Sequence, residues 1–341
     1  MSRFESSYLT TRLNIFSRRL IQFGQLVSFI DLDIDRILEN VNAITGHGYK
    51  LDSTNTHPVE NQLLNRALDD FQILIRPFSG AERRFFYFAI RWFELVNLKI
   101  LIRGKFSSVD NAEVERRLVD LGGFADLPLR NLLETDDPYE MLRLLETTAY
   151  AGIVRQARRV YEEYGNDLFL LDATIDRSFF IDLDRRAGFL NEDDSEQLDV
   201  VIGGLLDRFN LLWLLRFRFS YGLSPAKSFY LLTAIGRKLK SVELMRLAKM
   251  ESVEEVIAAL PDPYRKLLSN VSTISDMEAV MDYYTMSTAA GTLHSNASLV
   301  SRIFAYILLR EAEVRFLQAL IKGKQLEFDR DLIKQAVGVV A

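Results

Sequence analysis

The 341-residue chain has no cysteine, which removes disulfides, thiolate metal sites and thiol nucleophiles at once and fits a reducing compartment. Histidine is almost as scarce, with three. His47 and His294 lack a His or acidic partner at helical ligand spacing, and His57 has only Glu60 three residues on, a pair without a third ligand. Glycine-rich phosphate loops are missing as well: Gly122-Gly123 and Gly203-Gly204 are not followed by Lys-Ser or Lys-Thr. Neither Gly291-Thr292 nor Ser295 carries a nucleophile signature. No apolar run is long enough to cross a bilayer; the best, Phe209 to Phe219, is broken by Arg216 and Arg218. The amino terminus is charged and lacks the apolar centre of a signal peptide. Proline is rare, with seven, and most prolines fall at helix boundaries, Pro138 and Pro225 among them. No sustained period-two alternation marks a sheet.

The net charge is −5, which gives the chain no overall attraction for nucleic acid or anionic lipid. Local basic clusters at Arg83-Arg84, Arg158-Arg159 and Arg237-Lys238-Leu239-Lys240 read first as solvated helix faces. The acidic clusters fail as metal sites. Asp31-Leu32-Asp33-Ile34-Asp35 opens like a calcium loop, but Arg36 stands where glycine is needed and Asn42 where a bidentate Glu is needed. It reads as a helix start. Asp69-Asp70 and Asp193-Asp194 would need a third carboxylate one turn on to chelate magnesium for diphosphate chemistry; Ile73 and Gln197 occupy those places. No metal, cofactor or small-molecule substrate is expected, and an enzyme has no residue to rest on.

What the chain does have is apolar material, 48%, at helical spacing nearly throughout. Leu13, Ile15, Phe16, Leu20 and Ile21 mark one face of an early helix; Phe85, Phe88, Ala89, Trp92, Val96 and Ile100 mark another. The expected class is all-α, with loops near 46–58, 105–110, 122–128, 190–195 and 261–263.

One helical unit recurs. Residues 94–105 read Glu-Leu-Val-Asn-Leu-Lys-Ile-Leu-Ile-Arg-Gly-Lys, and residues 313–324 read Glu-Val-Arg-Phe-Leu-Gln-Ala-Leu-Ile-Lys-Gly-Lys. A middle copy runs from Asp207 through Asn210 to Arg216. Upstream of each lies an Asp in an apolar-aromatic segment: Asp69, Asp176 and Asp282. Asp176 precedes Asp207 by 31 residues and Asp282 precedes Glu313 by 31, whereas Asp69 precedes Glu94 by 25. A further element has Tyr ten residues after Glu, at Glu140…Tyr150 and Glu254…Tyr264, with a degenerate version beginning at Asp35. Single matches between Leu-rich amphipathic helices arise by chance; several elements in one order argue for true repetition. The unit of about 110 residues is longer than a solenoid repeat and points to three helical lobes around a common axis, over 1–125, 126–235 and 236–341.

Each copy ends in cations: Arg103 and Lys105, Arg216 and Arg218, Lys322 and Lys324. Cations suit the negative end of the helix dipole, and Gly104 and Gly323 are expected to supply the left-handed residue that stops each helix. The same six cations are the candidate partner-binding residues.

These segments resemble the C-type stalk subunits of bacterial and archaeal V/A-type rotary ATPases, whose counterpart in the eukaryotic vacuolar pump is its d-type subunit. The resemblance rests on Tyr8…Arg12 with Arg18 and Arg19, on the Glu94…Lys105 block, and on the Glu313…Lys324 block followed by a short last helix. It covers essentially the whole chain. Asp207 for Glu, Phe217-Arg218 for Gly-Lys and the less polar Gln318-Ala319 depart from the pattern. The resemblance implies a non-catalytic, funnel-shaped, pseudo-threefold body. It would sit peripherally on the cytoplasmic face of a membrane, bind the proteolipid rotor ring and the central stalk, and couple ATP chemistry to ion transport. A generic cytosolic helical scaffold is the alternative reading.

Overall fold

Helix caps divide the chain into its elements. The computed structural model describes residues 3–50, 59–164 and 167–339, and among these it contains eighteen α-helices and no strand. An N-terminal group comprises α1 (Arg3–Ser17), α2 (Phe23–Ser28) and α3 (Ile34–Thr45). A long pair follows, α4 (Val59–Ile75) and α5 (Gly80–Phe106), then the short α6 (Asn111–Arg117), α7 (Leu129–Leu133), α8 (Pro138–Leu145) and α9 (Ala151–Tyr164). The second long pair is α10 (Leu168–Ala187) and α11 (Glu192–Leu215), followed by α12 (Pro225–Leu231), α13 (Ser241–Leu247), α14 (Val253–Ala259) and α15 (Tyr264–Leu268). The third pair is α16 (Ile274–His294) and α17 (Leu299–Gln325), and α18 (Arg330–Ala336) comes last.

The starts follow local chemistry. The Asp33 side chain accepts from the Arg36 N–H, so the would-be calcium loop is a helix cap. Asp137 and Ser224 cap α8 and α12, each with proline as the first helical residue. Residues 192–195, expected in a loop, instead begin α11. Asn191 caps the Asp194 N–H, and three acidic residues occupy the positive end of the dipole. The early amphipathic face is also shorter than expected. Leu13 and Phe16 are buried on α1, Ile15 points outward, and Leu20 and Ile21 lie past the helix end. Loop residues 51–58, with His57, lie outside the described residues.

The two repeat glycines do not stop their helices. Gly104 and Gly323 lie inside α5 and α17, both buried, and the left-handed residues are Ser108 (φ 50°) and Glu327 (φ 54°), four positions further on. Each helix closes by the same pair of bonds. Ser108 N–H donates to the Lys105 carbonyl and Val109 N–H to that of Gly104; Glu327 and Phe328 repeat this with Lys324 and Gly323. The glycines serve close packing: a Cβ on Gly104 would lie 2.5 Å from Val114 Cγ2 of α6, and one on Gly323 3.0 Å from Ile333 Cγ1 of α18. The middle copy inverts the sizes. Phe217 replaces glycine, and fully buried Ser228 holds the place of Val114 and Ile333 on the following short helix. There α11 widens into a π-helical turn over Arg216–Ser220, and Leu223 N–H, one residue later in register, donates to the Phe217 carbonyl.

The second helix of each long pair packs on the first helix of another: α5 on α10, α11 on α16, and α17 back on α4. A buried or half-buried carboxylate marks each crossing. Asp176 of α10 meets Lys99 of α5, Asp282 of α16 meets Arg208 of α11, and Asp70 of α4 accepts from the Tyr306 hydroxyl of α17 at 2.7 Å. In the first copy the repeat carboxylate is thus Asp70 and not Asp69, which is exposed and pairs with Arg66. The apolar interior has two parts. The larger spans the N-terminal helices and all three long pairs; the smaller gathers α12–α15 around Leu211, Leu214, Leu215 and Phe217, and Trp213 packs against both.

Candidate partner-binding surfaces

The acidic residue that opens each repeat block is buried, and in the first two blocks it fastens a loop that follows its own helix. Glu94 accepts from the backbone N–H groups of Asp126 and Leu127 and from the Tyr150 hydroxyl. Asp207 accepts from the N–H groups of Lys238 and Leu239 and from the Tyr264 hydroxyl at 2.7 Å. The matching Asn97 and Asn210 each hold the same loop by backbone bonds, Asn97 to both groups of Val119, Asn210 to Thr233 N–H and the Ile235 carbonyl. The paired Tyr150 and Tyr264, visible in sequence only as a spacing, are therefore the hydroxyl donors of two equivalent clasps. Burial pushes both carboxyls above their ordinary range, although the donors oppose it.

The third clasp is closed by the other end of the chain. Glu313 accepts from the Ile21 N–H at 3.1 Å and pairs with Arg310, which donates in turn to the Tyr49 hydroxyl. Tyr49 lies ten residues after Glu39, the spacing of the other two tyrosines. The sequence pattern traced from Asp35 misses both Tyr49 and Arg310; the Glu-to-Tyr spacing is the signal that could find the tyrosine. Burial raises the Glu313 carboxyl to about 7, with Arg310 pulling it only partly back. Arg330 of α18 and Asp31 complete the junction of the two ends.

The six cations of the helix ends have local tasks. Arg103 reaches Asp172 of α10, and Arg216 reaches Glu278 of α16, so both tie their own helix to the next pair. Lys105 donates to Asn111 Oδ1 at 3.0 Å and to the Leu133 carbonyl at 2.6 Å. Arg218 donates to the carbonyls of Leu223 and Met250. Lys322 is exposed and Lys324 half-buried at the end of α17. Four of the six therefore hold the chain's own loops or helices. Tyr8 and Arg12 form an exposed pair, with Arg12 Nε donating to the hydroxyl at 3.0 Å.

A groove of about 1120 Å³ is bounded by α2, α11, α16 and α17 and by the end of α18. One wall carries a charged network in which Arg208 bridges Asp282 and Glu278, with Arg216 on the second oxygen of Glu278. The other offers apolar surface, Phe23 against Tyr283 and Phe316. Arg315, more than half exposed, opens into the same space. Such a lining of charge beside exposed aromatics suits a protein surface better than a small metabolite. Among the described residues no cluster of three or more His, Asp or Glu could hold a metal ion, and no helix is long and apolar enough to cross a membrane.

Comparison with known proteins agrees with this architecture. A family described as ATP synthase (C/AC39) subunit matches residues 12–336. The C-type subunit of the A-type ATP synthase of Halorubrum lacusprofundi is 28% identical over 256 residues, covering 72% of this chain and 71% of the relative. Its equivalent from Methanothermobacter thermautotrophicus is 24% identical over 338 residues, covering 94% and 84%, and that from Methanosarcina mazei is 21% identical over 346 residues, covering 98% and 93%. With the match running through all three repeat blocks and the clasps that close them, the chain belongs to the ATP synthase (C/AC39) subunit family.

Proposed function

We propose that this protein is the non-catalytic adaptor of a V/A-type rotary ATPase, joining the central stalk to the membrane rotor ring on the cytoplasmic face and passing torque between ATP chemistry and ion transport. In this reading the body is a pseudo-threefold funnel of lobes 1–125, 126–235 and 236–341, with residues 21–49 contributed to the third lobe. The observation that carries the reading is the cyclic packing of long helices, α5 on α10, α11 on α16 and α17 on α4. A body whose last long helix returns to its first resists twisting better than an open stack, because no element is free to rotate without breaking packed contacts. The groove of about 1120 Å³ would receive a helical stalk element, with the charged wall fixing its register. The exposed Lys322 and the solvent face of Arg103 would meet an acidic or polar partner at the helix ends.

The test is co-purification. A tagged chain expressed in its native cells and extracted with mild detergent should bring down the stalk subunits and the proteolipid ring together. Recovery of the chain with neither would overturn the reading.

A further inference from the structure

Residues 225–250, from the start of α12 to just past α13, hold six Lys and Arg against the single Glu243, in a chain whose net charge is −5. The corresponding stretch after α5, residues 111–137, holds three Lys and Arg against seven Asp and Glu. The two stretches do the same structural work, each giving two backbone N–H groups to the acid of its long helix, yet where the first donates through Asp126 the second donates through Lys238. Lys238 also donates to the Asp262 carbonyl at 2.7 Å, Arg246 to that of Ala259, and Arg237 pairs with Asp199, whereas the clasp itself does not require the charge of Lys240 or Lys249.

The geometry faces that charge outward. Leu239 is fully buried, with its N–H held by Asp207, so Arg237, Lys238 and Lys240 around it are exposed. The chain just past α13 is pinned where Arg218 takes the Met250 carbonyl, and α13 shares an apolar cluster with Leu211, Leu214 and Leu215 of α11. Its buried side is Leu244, Leu247 and Ala248. Its outer side presents Val242 and Met245, and Lys249 is exposed just past its end. Val242 is 83% exposed, Met245 45%, and Tyr230 on the neighbouring α12 68%. A fixed helix with apolar residues at its tip and cations around them has the composition of a surface that lies on an anionic bilayer, where cations meet headgroups and short apolar side chains enter the acyl boundary.

We propose that residues 225–250 form a docking surface for anionic phospholipid, with Lys240 and Lys249 on headgroups and Val242 and Met245 as the inserting residues. The surface does not depend on the rotary reading, and vesicle binding by the isolated chain tests it separately. The full-length chain is floated with vesicles of phosphatidylcholine alone and of equal parts phosphatidylcholine and phosphatidylglycerol. It should bind the mixed vesicles only, and added salt should weaken the binding. The double variant Lys240→Glu/Lys249→Glu should lower partitioning at least about tenfold, and Val242→Ser should lower it without altering the salt dependence. Arg159→Glu, a charge reversal on an exposed face of α9, should leave it unchanged, and circular dichroism should report the same helix content in all variants. Equal binding to both vesicles, no binding to either, or equal loss with Arg159→Glu would overturn the proposal. So would salt-sensitive binding to soluble polyglutamate without vesicle binding, which would assign the patch to an acidic protein.

Discussion

Glu94, Asp207 and Glu313 each exchange water for fixed donors, and the choice of donor differs in a way that mutation can read. Tyr150 and Tyr264 donate directly to a carboxylate that burial disfavours in its charged form. Tyr150→Phe and Tyr264→Phe should each lower unfolding free energy by about 1–3 kcal/mol, the range for a buried hydrogen bond to a charged acceptor, as measured by urea denaturation. Tyr49→Phe should cost less, because Arg310 rather than the tyrosine contacts Glu313. The pH response follows from the same burial. The Glu313 carboxyl rises from its ordinary 4.5 to about 7 in the folded chain, so its contribution is fully present below pH 4.5 and is lost as pH rises through about 7. Burial shifts Asp70, Asp176, Glu94 and Asp207 in the same direction. Stability should therefore fall between about pH 4.5 and pH 7, with Glu313 accounting for up to about 3 kcal/mol. Glu313→Gln should flatten that slope; an unchanged slope would refute the assignment. Sequence could place Glu94, Asp207 and Glu313 in register but could not show that they were buried, since a helical Glu is ordinarily solvated.

The recurring element is a long helix, a tight left-handed break and a short helix that packs back on it. Its α-helical character, and the helix start at Pro225 in the middle copy, were legible from periodicity and capping chemistry. The role of glycine was not. Gly104 precedes a basic residue near a helix end, which is what a terminating glycine looks like, and only the approach of Val114 distinguishes a packing glycine from a cap. Gly104→Ala should accordingly destabilise by about 1–3 kcal/mol through overpacking, and Val114→Ala, which removes the opposing methyls, should recover part of that loss in the double variant. If Gly104→Ala cost nothing, the close approach of α6 to α5 would be wrong. In the middle copy, the exchange of Phe217 and Ser228 explains why the Gly-Lys pattern fails there although the element survives. In sequence the basic end residues read as partner contacts, but Lys105 and Arg218 cap loop carbonyls and Arg103 and Arg216 bridge to the next pair. Such bonds depend on which loop returns to which helix, which no local pattern records.

At the scale of the whole molecule, the order of repeats was legible and their closure was not. Ile21 and Glu313 are 292 positions apart, and the bond between them makes the N-terminal segment part of the third unit. The same holds for Asp70 and Tyr306, which join the first long pair to the last. Local patterns cannot show that the acid of the last repeat block is held by residues near the start of the chain. The groove is legible still less, because its lining comes from α2, α11, α16, α17 and α18 together. The packing of the last long helix on the first, with a charged concavity beside it, is what the coupling role proposed above rests on. The most direct measurement is coupling in membrane vesicles that carry the rotary complex, prepared with and without this chain. If the chain couples stalk to ring, then without it ATP hydrolysis by the catalytic head persists while ATP-driven ion accumulation collapses, and adding back the purified chain restores accumulation. Undiminished ion accumulation in its absence would rule out the coupling role.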